Sequence, residues 1–275
     1  MKKHGTTVIL LIVLIVGLSL LLYPPLANWW NSMTQSKAVA SYVESVADID
    51  EDQYAHLWEE AWNYNRSLPV GNDAHDLSEE SLKTYNNLLD IGGLGIMGYI
   101  EIPSISVTLP IYHGTDEALL QIAIGHLEWT SLPVGGESSH CVVSGHRGLP
   151  SSRLFTDLDK LVEGDLFMFR VLDEVLTYEV DQILIVEPHE TDALKIVEGE
   201  DLCTLITCTP YGVNSHRLLV RGHRVENREI AVTVRVTANA TQIEPIVVAP
   251  ILAIPVLLVL LIGLLIPKPK KRRFD

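Results

Sequence analysis

The chain carries three kinds of hydrophobic pattern, in distinct regions. Residues 6–22 and 246–266 are near-continuous apolar runs, and no charged residue occurs between 5 and 36. A helix of 21 uncharged residues such as 246–266 is about 31 Å long, close to the ~30 Å of a bilayer core. Both runs are read as membrane helices, the second with its first turns bent by Pro250 and Pro255. Residues 36–66 carry apolar positions at spacings of three and four: Val39, Tyr42, Val43 and Val46, then Tyr54, Leu57, Trp58, Ala61 and Trp62. That period predicts two helices, parted by the acidic stretch 48–52. From residue 97 onward the pattern changes to short apolar runs broken by Gly and Pro, which predicts strands at 98–103, 107–114, 141–144, 166–171, 175–186, 202–208 and 217–224. Residues 117–125 read as a short helix and 154–161 as a helical turn. Residues 67–91 are polar and turn-rich, and read as a long surface segment.

Many short, punctuated strands imply a closed or sandwich-like β domain. The organisation expected is a tip and membrane anchor (1–35), helices with a surface segment (36–96), a mainly β domain (97–228), a stalk (229–245), and a second membrane helix with a basic tail (246–275).

Charge sets the orientation. Lys2 and Lys3 precede the first apolar run, and Lys268, Lys270, Lys271, Arg272 and Arg273 follow the second. Both termini are therefore expected to be cytoplasmic, with the intervening domain outside. Trp29 and Trp30 suit an interfacial belt, and no small-x-small cleavage site follows the first run, so an uncleaved anchor is preferred to a signal peptide. Without those seven cations and Asp275, 13 Lys and Arg face 34 Asp and Glu, a charge of about −21. Such an acidic domain excludes a nucleic-acid role.

Three cysteines are too few for a disulfide framework. Cys141 and Cys203 lie inside apolar runs and are read as buried, inert thiols. Cys208 differs, because it ends the run Thr204-Leu205-Ile206-Thr207-Cys208 and is followed by a Pro/Gly/Asn turn. The returning run starts with Arg217, and another apolar run, 141–144, leads into Gly145-His146. A strand-end thiol with an imidazole and a guanidinium supplies a nucleophile, an acid/base and an anion-stabilising group. Without Cys-x-x-Cys or His-x-x-x-His spacing near Cys208, zinc is set aside, and no cofactor is called for. No acidic third member beside His146 is evident.

These motifs resemble the sortases of Gram-positive bacteria, and within them class C, the pilus-assembling group. Further segments carry the resemblance: Gly98-Tyr99-Ile100-Glu101-Ile102-Pro103, Leu109-Pro110-Ile111-Tyr112-His113-Gly114, Ser131-Leu132-Pro133-Val134-Gly135-Gly136, and Gly145-His146-Arg147-Gly148-Leu149-Pro150. The resemblance implies an eight-stranded sortase-type β-barrel with N-terminal helices and two flanking transmembrane helices. It implies cleavage of an LPxTG-type sorting signal between Thr and Gly, and transfer of the acyl group from Cys208 to a pilin lysine. His146 would be the general acid/base and Arg217 the oxyanion or substrate-positioning group. Class C sortases cover the site with a lid bearing Asp-Pro-aromatic. The matching residues here are Asp73-Ala74-His75, so the implied lid is weaker: Asp73 pairs with Arg217, and His75 loosens the cover when protonated. Trp129 stands where the family often has a small residue. Attachment of surface proteins to peptidoglycan precursors, hydrolysis by water, and a non-catalytic membrane scaffold remain the rival functions.

Overall fold

A computed structural model of the chain describes residues 2–71 and 77–227. Helix α1 (Lys2–Ala47) is one uninterrupted helix that passes through Pro24 and Pro25. It is long and apolar enough to cross a membrane, and its apolar window is unburied. The second predicted membrane helix, at 246–266, and the stalk at 229–245 lie outside the described residues, so one span is described where two were expected.

Residues 30–231 form one compact unit. Within it, α1 ends where the acidic stretch begins, and α2 (Glu51–Ser67) starts from Asp50. The Asp50 carboxylate accepts the Gln53 N–H at 2.8 Å, and Glu51 and Asp52 occupy the first turn, where the helix dipole favours anions. The surface-segment reading of 67–91 needs correction: a third helix, α3 (Glu79–Asn87), lies inside it. Its signals were local. Ser78 caps the N-terminus by accepting from Ser81 N at 3.1 Å, and Glu79 and Glu80 follow. Two large apolar residues, Leu82 and Tyr85, on a nine-residue helix give little periodicity; Leu82 is exposed, and Tyr85 is fully buried.

Eight strands follow: β1 (Ile96–Ile102), β2 (Val107–His113), β3 (Ile124–His126), β4 (Ser139–Ser144), β5 (Leu166–Val171), β6 (Glu174–Val186), β7 (Asp201–Thr209) and β8 (His216–Val225). They close into a barrel in the order β1-β2-β3-β4-β7-β8-β6-β5, with β2–β3 and β4–β7 parallel and the other pairs antiparallel. The helix expected at 117–125 is shorter, α4 (Glu117–Leu120), because β3 takes up its end. Three residues are too few to show alternation. Gly125 is required there, since a Cβ would lie 2.0 Å from the Gly114 carbonyl oxygen. The turn expected at 154–161 is a single 3-10 turn, Leu158–Lys160.

Strand alternation divides the side chains into an inner and an outer set. Inside lie Cys141, Val143, Phe167, Phe169, Tyr178, Cys203, Leu205, Leu218 and Val220. Outside β4, β7 and β8 a second cluster joins Val142, Ile206 and Leu219 to Leu194, with Trp129, Leu127 and Leu184 packed against it. Strand β7 is thus covered on both faces, which explains its unbroken apolar character. The helices dock through buried polar groups as well as apolar area. Asn65 Oδ1 accepts Leu132 N at 2.7 Å while its Nδ2 donates to Leu132 O at 3.1 Å. The Tyr85 hydroxyl lies 2.9 Å from His126 Nδ1 and accepts Gly114 N at 3.1 Å.

Candidate active site

The even-numbered outer face of β7 carries Ile206 and then Cys208. In the antiparallel ladder Ile206 faces Leu219 and Cys208 faces Arg217. On the other side, parallel β4 pairs Ser144 with Ile206, and Gly145 N donates to Ile206 O at 3.0 Å. His146 follows two residues beyond Ser144, just past the end of β4 and on the side of β7 away from Arg217. The three predicted groups therefore lie at one end of three adjacent strands, with Cys208 and Arg217 next to the outer apolar positions Ile206 and Leu219.

Local chemistry fixes each position. A Cβ on Gly145 would lie 2.8 Å from both Ile124 Cγ2 and Phe155 Cδ2, so the backbone can pass only without a side chain there. Thr207 Oγ1 donates to Gly145 O at 2.8 Å, and Phe155 N donates to His146 O at 3.2 Å. After Cys208 the chain turns on Pro210, whose carbonyl accepts from Val213 N at 3.1 Å and Asn214 N at 3.0 Å. Asn214 takes the left-handed conformation, φ 59°, that this turn needs. The Arg217 guanidinium folds back onto the turn, with Nη1 donating to Asn214 O at 3.3 Å and His216 O at 3.2 Å. Among the described residues it has no carboxylate partner.

Cys208 is partly exposed, whereas Cys141 and Cys203 are buried. Those two are strand neighbours in the barrel interior, both free thiols. Burial, together with the Cys141 hydrogen bond, pushes the Cys203 thiol well up, which keeps it protonated and inert. Of the three thiols only Cys208 can meet a macromolecular substrate.

Two features were not read from the sequence. The first is Glu117, whose Oε1 lies 3.5 Å from His146 Nε2. It precedes His146 by 29 positions and belongs to no motif, so only the fold brings it near. The second is the pair Arg147 and Tyr211: the guanidinium lies 5.8 Å from the ring centroid and also pairs with Asp159. It ties the loop bearing His146 to the turn following Cys208. Trp129 packs against the outer apolar cluster. Asp73 and His75 fall in 72–76, outside the described residues.

A closed barrel whose adjacent strands end in a thiol, an imidazole and a guanidinium is the frame of a cysteine acyl-transfer enzyme of the sortase type. The Sortase domain family matches residues 100–225, and the chain belongs to the sortase family. Among solved structures it is similar to sortase C1 from Streptococcus agalactiae, at 50% identity over 70% of this chain and 100% of that one, with TM-score 0.68. It is also similar to sortase C from Streptococcus pneumoniae, at 43% identity over 70% and 97% of the two chains, with TM-score 0.64. Sortase D of Bacillus subtilis is 30% identical over 131 residues, which span 46% of this chain and 63% of that protein, under two thirds of its length. Within the family the similarity is to class C sortases.

Proposed function

We propose that the protein is a membrane-anchored cysteine transpeptidase that cuts an LPxTG-type sorting signal between Thr and Gly and joins the Thr carbonyl to a pilin lysine. The observation that carries this reading is the place of Cys208 and Arg217 as cross-strand partners at the end of β7 and the start of β8, with His146 just past the end of the neighbouring β4. Similarity to class C sortases supports the choice of acceptor, and the Streptococcus pneumoniae sortase C structure is described in terms of pilin substrate specificity.

The chemistry balances in two steps. The Cys208 thiolate adds to the Thr carbonyl carbon, forming C–S, while Arg217 donates hydrogen bonds to the oxygen that becomes negative. The C–N bond then breaks, and His146 gives its proton to the departing Gly amine. In the second step a neutral lysine amine adds to the thioester, His146 takes the proton released, and the C–S bond breaks to return the thiolate. No oxidant, metal or cofactor enters either step.

Helix α1 supplies a membrane span, and the flanking lysines orient it with the tip in the cytoplasm and the catalytic unit outside. The test is incubation of the full chain in detergent with candidate pilins. A covalent ladder is expected, and it disappears in Cys208→Ala. A ladder that persists in Cys208→Ala would overturn the mechanism. Attachment only to peptidoglycan precursors, or release of free acid without a ladder, would replace the pilin lysine with another acceptor.

A further inference from the structure

We propose that Glu117 is a positioning residue for His146, and that helix α1 keeps the two in reach of each other through Gln35. The inference rests on the acyl-transfer reading, in which His146 carries the proton. His146 Nε2 is buried and makes no hydrogen bond within the described residues, and the carboxylate facing it is Glu117, at 3.5 Å. That separation is beyond a hydrogen bond of roughly 2.9 Å, but catalytic hydrogen bonds of unliganded enzymes are commonly long and tighten once substrate is bound. The carboxylate is already oriented: Glu117 Oε1 accepts from Gln121 Nε2 at 2.7 Å, one helical turn along.

A carboxylate facing Nε2 keeps the proton on that nitrogen. This fixes the ring tautomer, so that Nδ1 is the nitrogen left to exchange a proton with the thiol and the amines. The pair adds little to folding stability, because the Glu117 side chain is 76% exposed and water screens it. Its contribution is therefore to the orientation of His146.

Glu117 and His146 lie on separate segments, and α1 spans both. Gln35 Nε2 donates to Ile122 O at 2.8 Å, just past α4, and lies 3.2 Å from Ser152 Oγ, on the loop that follows His146. One turn earlier, Asn31 Nδ2 donates to Ser151 O at 2.8 Å. The helix that continues from the membrane anchor thus sets the spacing between carboxylate and imidazole.

The experiment uses full-length protein in detergent, labelled with ¹⁵N-histidine, as wild type, Glu117→Gln and Glu117→Asp; His146→Gln assigns the ring signals. The wild type is expected to show His146 protonated at Nε2, with Glu117→Gln shifting it toward a mixture of tautomers. On a Leu-Pro-Glu-Thr-Gly peptide, kcat of Glu117→Gln is expected to fall about tenfold with KM unchanged and an unaltered thermal midpoint, and Glu117→Asp to recover part of it. Gln35→Leu is expected to move the tautomer and kcat in the same direction by less. Unchanged ring signals and kcat in Glu117→Gln would overturn the inference. A wild type that forms no thioacyl adduct at Cys208 would overturn the acyl-transfer reading instead, and intact mass distinguishes the two.

Discussion

Arg217 illustrates how strand register gives a residue its chemistry. It is the cross-strand partner of Cys208, and among the described residues its Nη1 donates to two carbonyls, His216 O at 3.2 Å and Asn214 O at 3.3 Å. A planar, multi-donor group suits an oxyanion better than an ammonium, which offers one point charge. Arg217→Ala is accordingly expected to lower kcat/KM about a hundredfold in a peptide-cleavage assay, and Arg217→Lys to recover little of it. A second residue-scale prediction concerns His140, which is buried between β4 and β7. Its Nδ1 lies 2.9 Å from Lys195 O and its Nε2 2.8 Å from Thr204 Oγ1. Burial lowers its pKa to about 4 from the usual 6.5. Between those values the unfolded chain binds a proton that the folded chain refuses. The stability His140 contributes is therefore complete above about pH 6.5 and is lost as the pH falls toward 4, by roughly 3 kcal/mol. Urea unfolding at several pH values should show this slope, and the difference between wild type and His140→Gln should isolate it.

At the scale of elements, the helices are joined to the barrel by a few buried polar groups. Asn65 on α2 satisfies both backbone groups of Leu132, and it is only 5% exposed. Asn65→Leu keeps the volume but strands a buried N–H and a buried C=O, at a cost of about 3 kcal/mol. The thermal midpoint should drop by about 10 °C. Tyr85→Phe should cost less, because it removes one hydroxyl from the Gly114 N–H and from His126. Scanning calorimetry of the two variants should rank them in that order. The sequence showed α2 through its apolar period but not α3, where Leu82 and one buried ring, Tyr85, are too few to establish a repeat.

At the scale of the whole molecule, one long helix changes character along its length. The N-terminal part of α1 is apolar and exposed along Val8 to Trp30, whereas further on Tyr42 is buried, accepting Leu172 N at 2.7 Å. Residues 30–231 make up one compact unit. A fragment of those residues is expected to express as a soluble, cooperatively unfolding protein, whereas the full chain should resist carbonate extraction from membranes. Circular dichroism of the fragment and fractionation of the full chain check the two halves of that expectation.

The sequence by itself determined most of the secondary structure from β1 onward, the long apolar N-terminal helix, and the strand-end place of Cys208. Unbroken apolar runs, short punctuated strands and a strand-end cysteine are local signals that need no partner to be read. Cys208, His146 and Arg217 were legible because each ends or begins an apolar run, and strand ends in a closed sheet collect at its rims. Only the tertiary structure decided that these strand ends are neighbours, since that depends on the pairing of β4 with β7 and of β7 with β8. It also decided that β3 completes the barrel, and that Glu117, 29 residues before His146, stands 3.5 Å from its ring. Contacts between distant segments leave no period or spacing in the chain, so they become visible only once the sheet has closed.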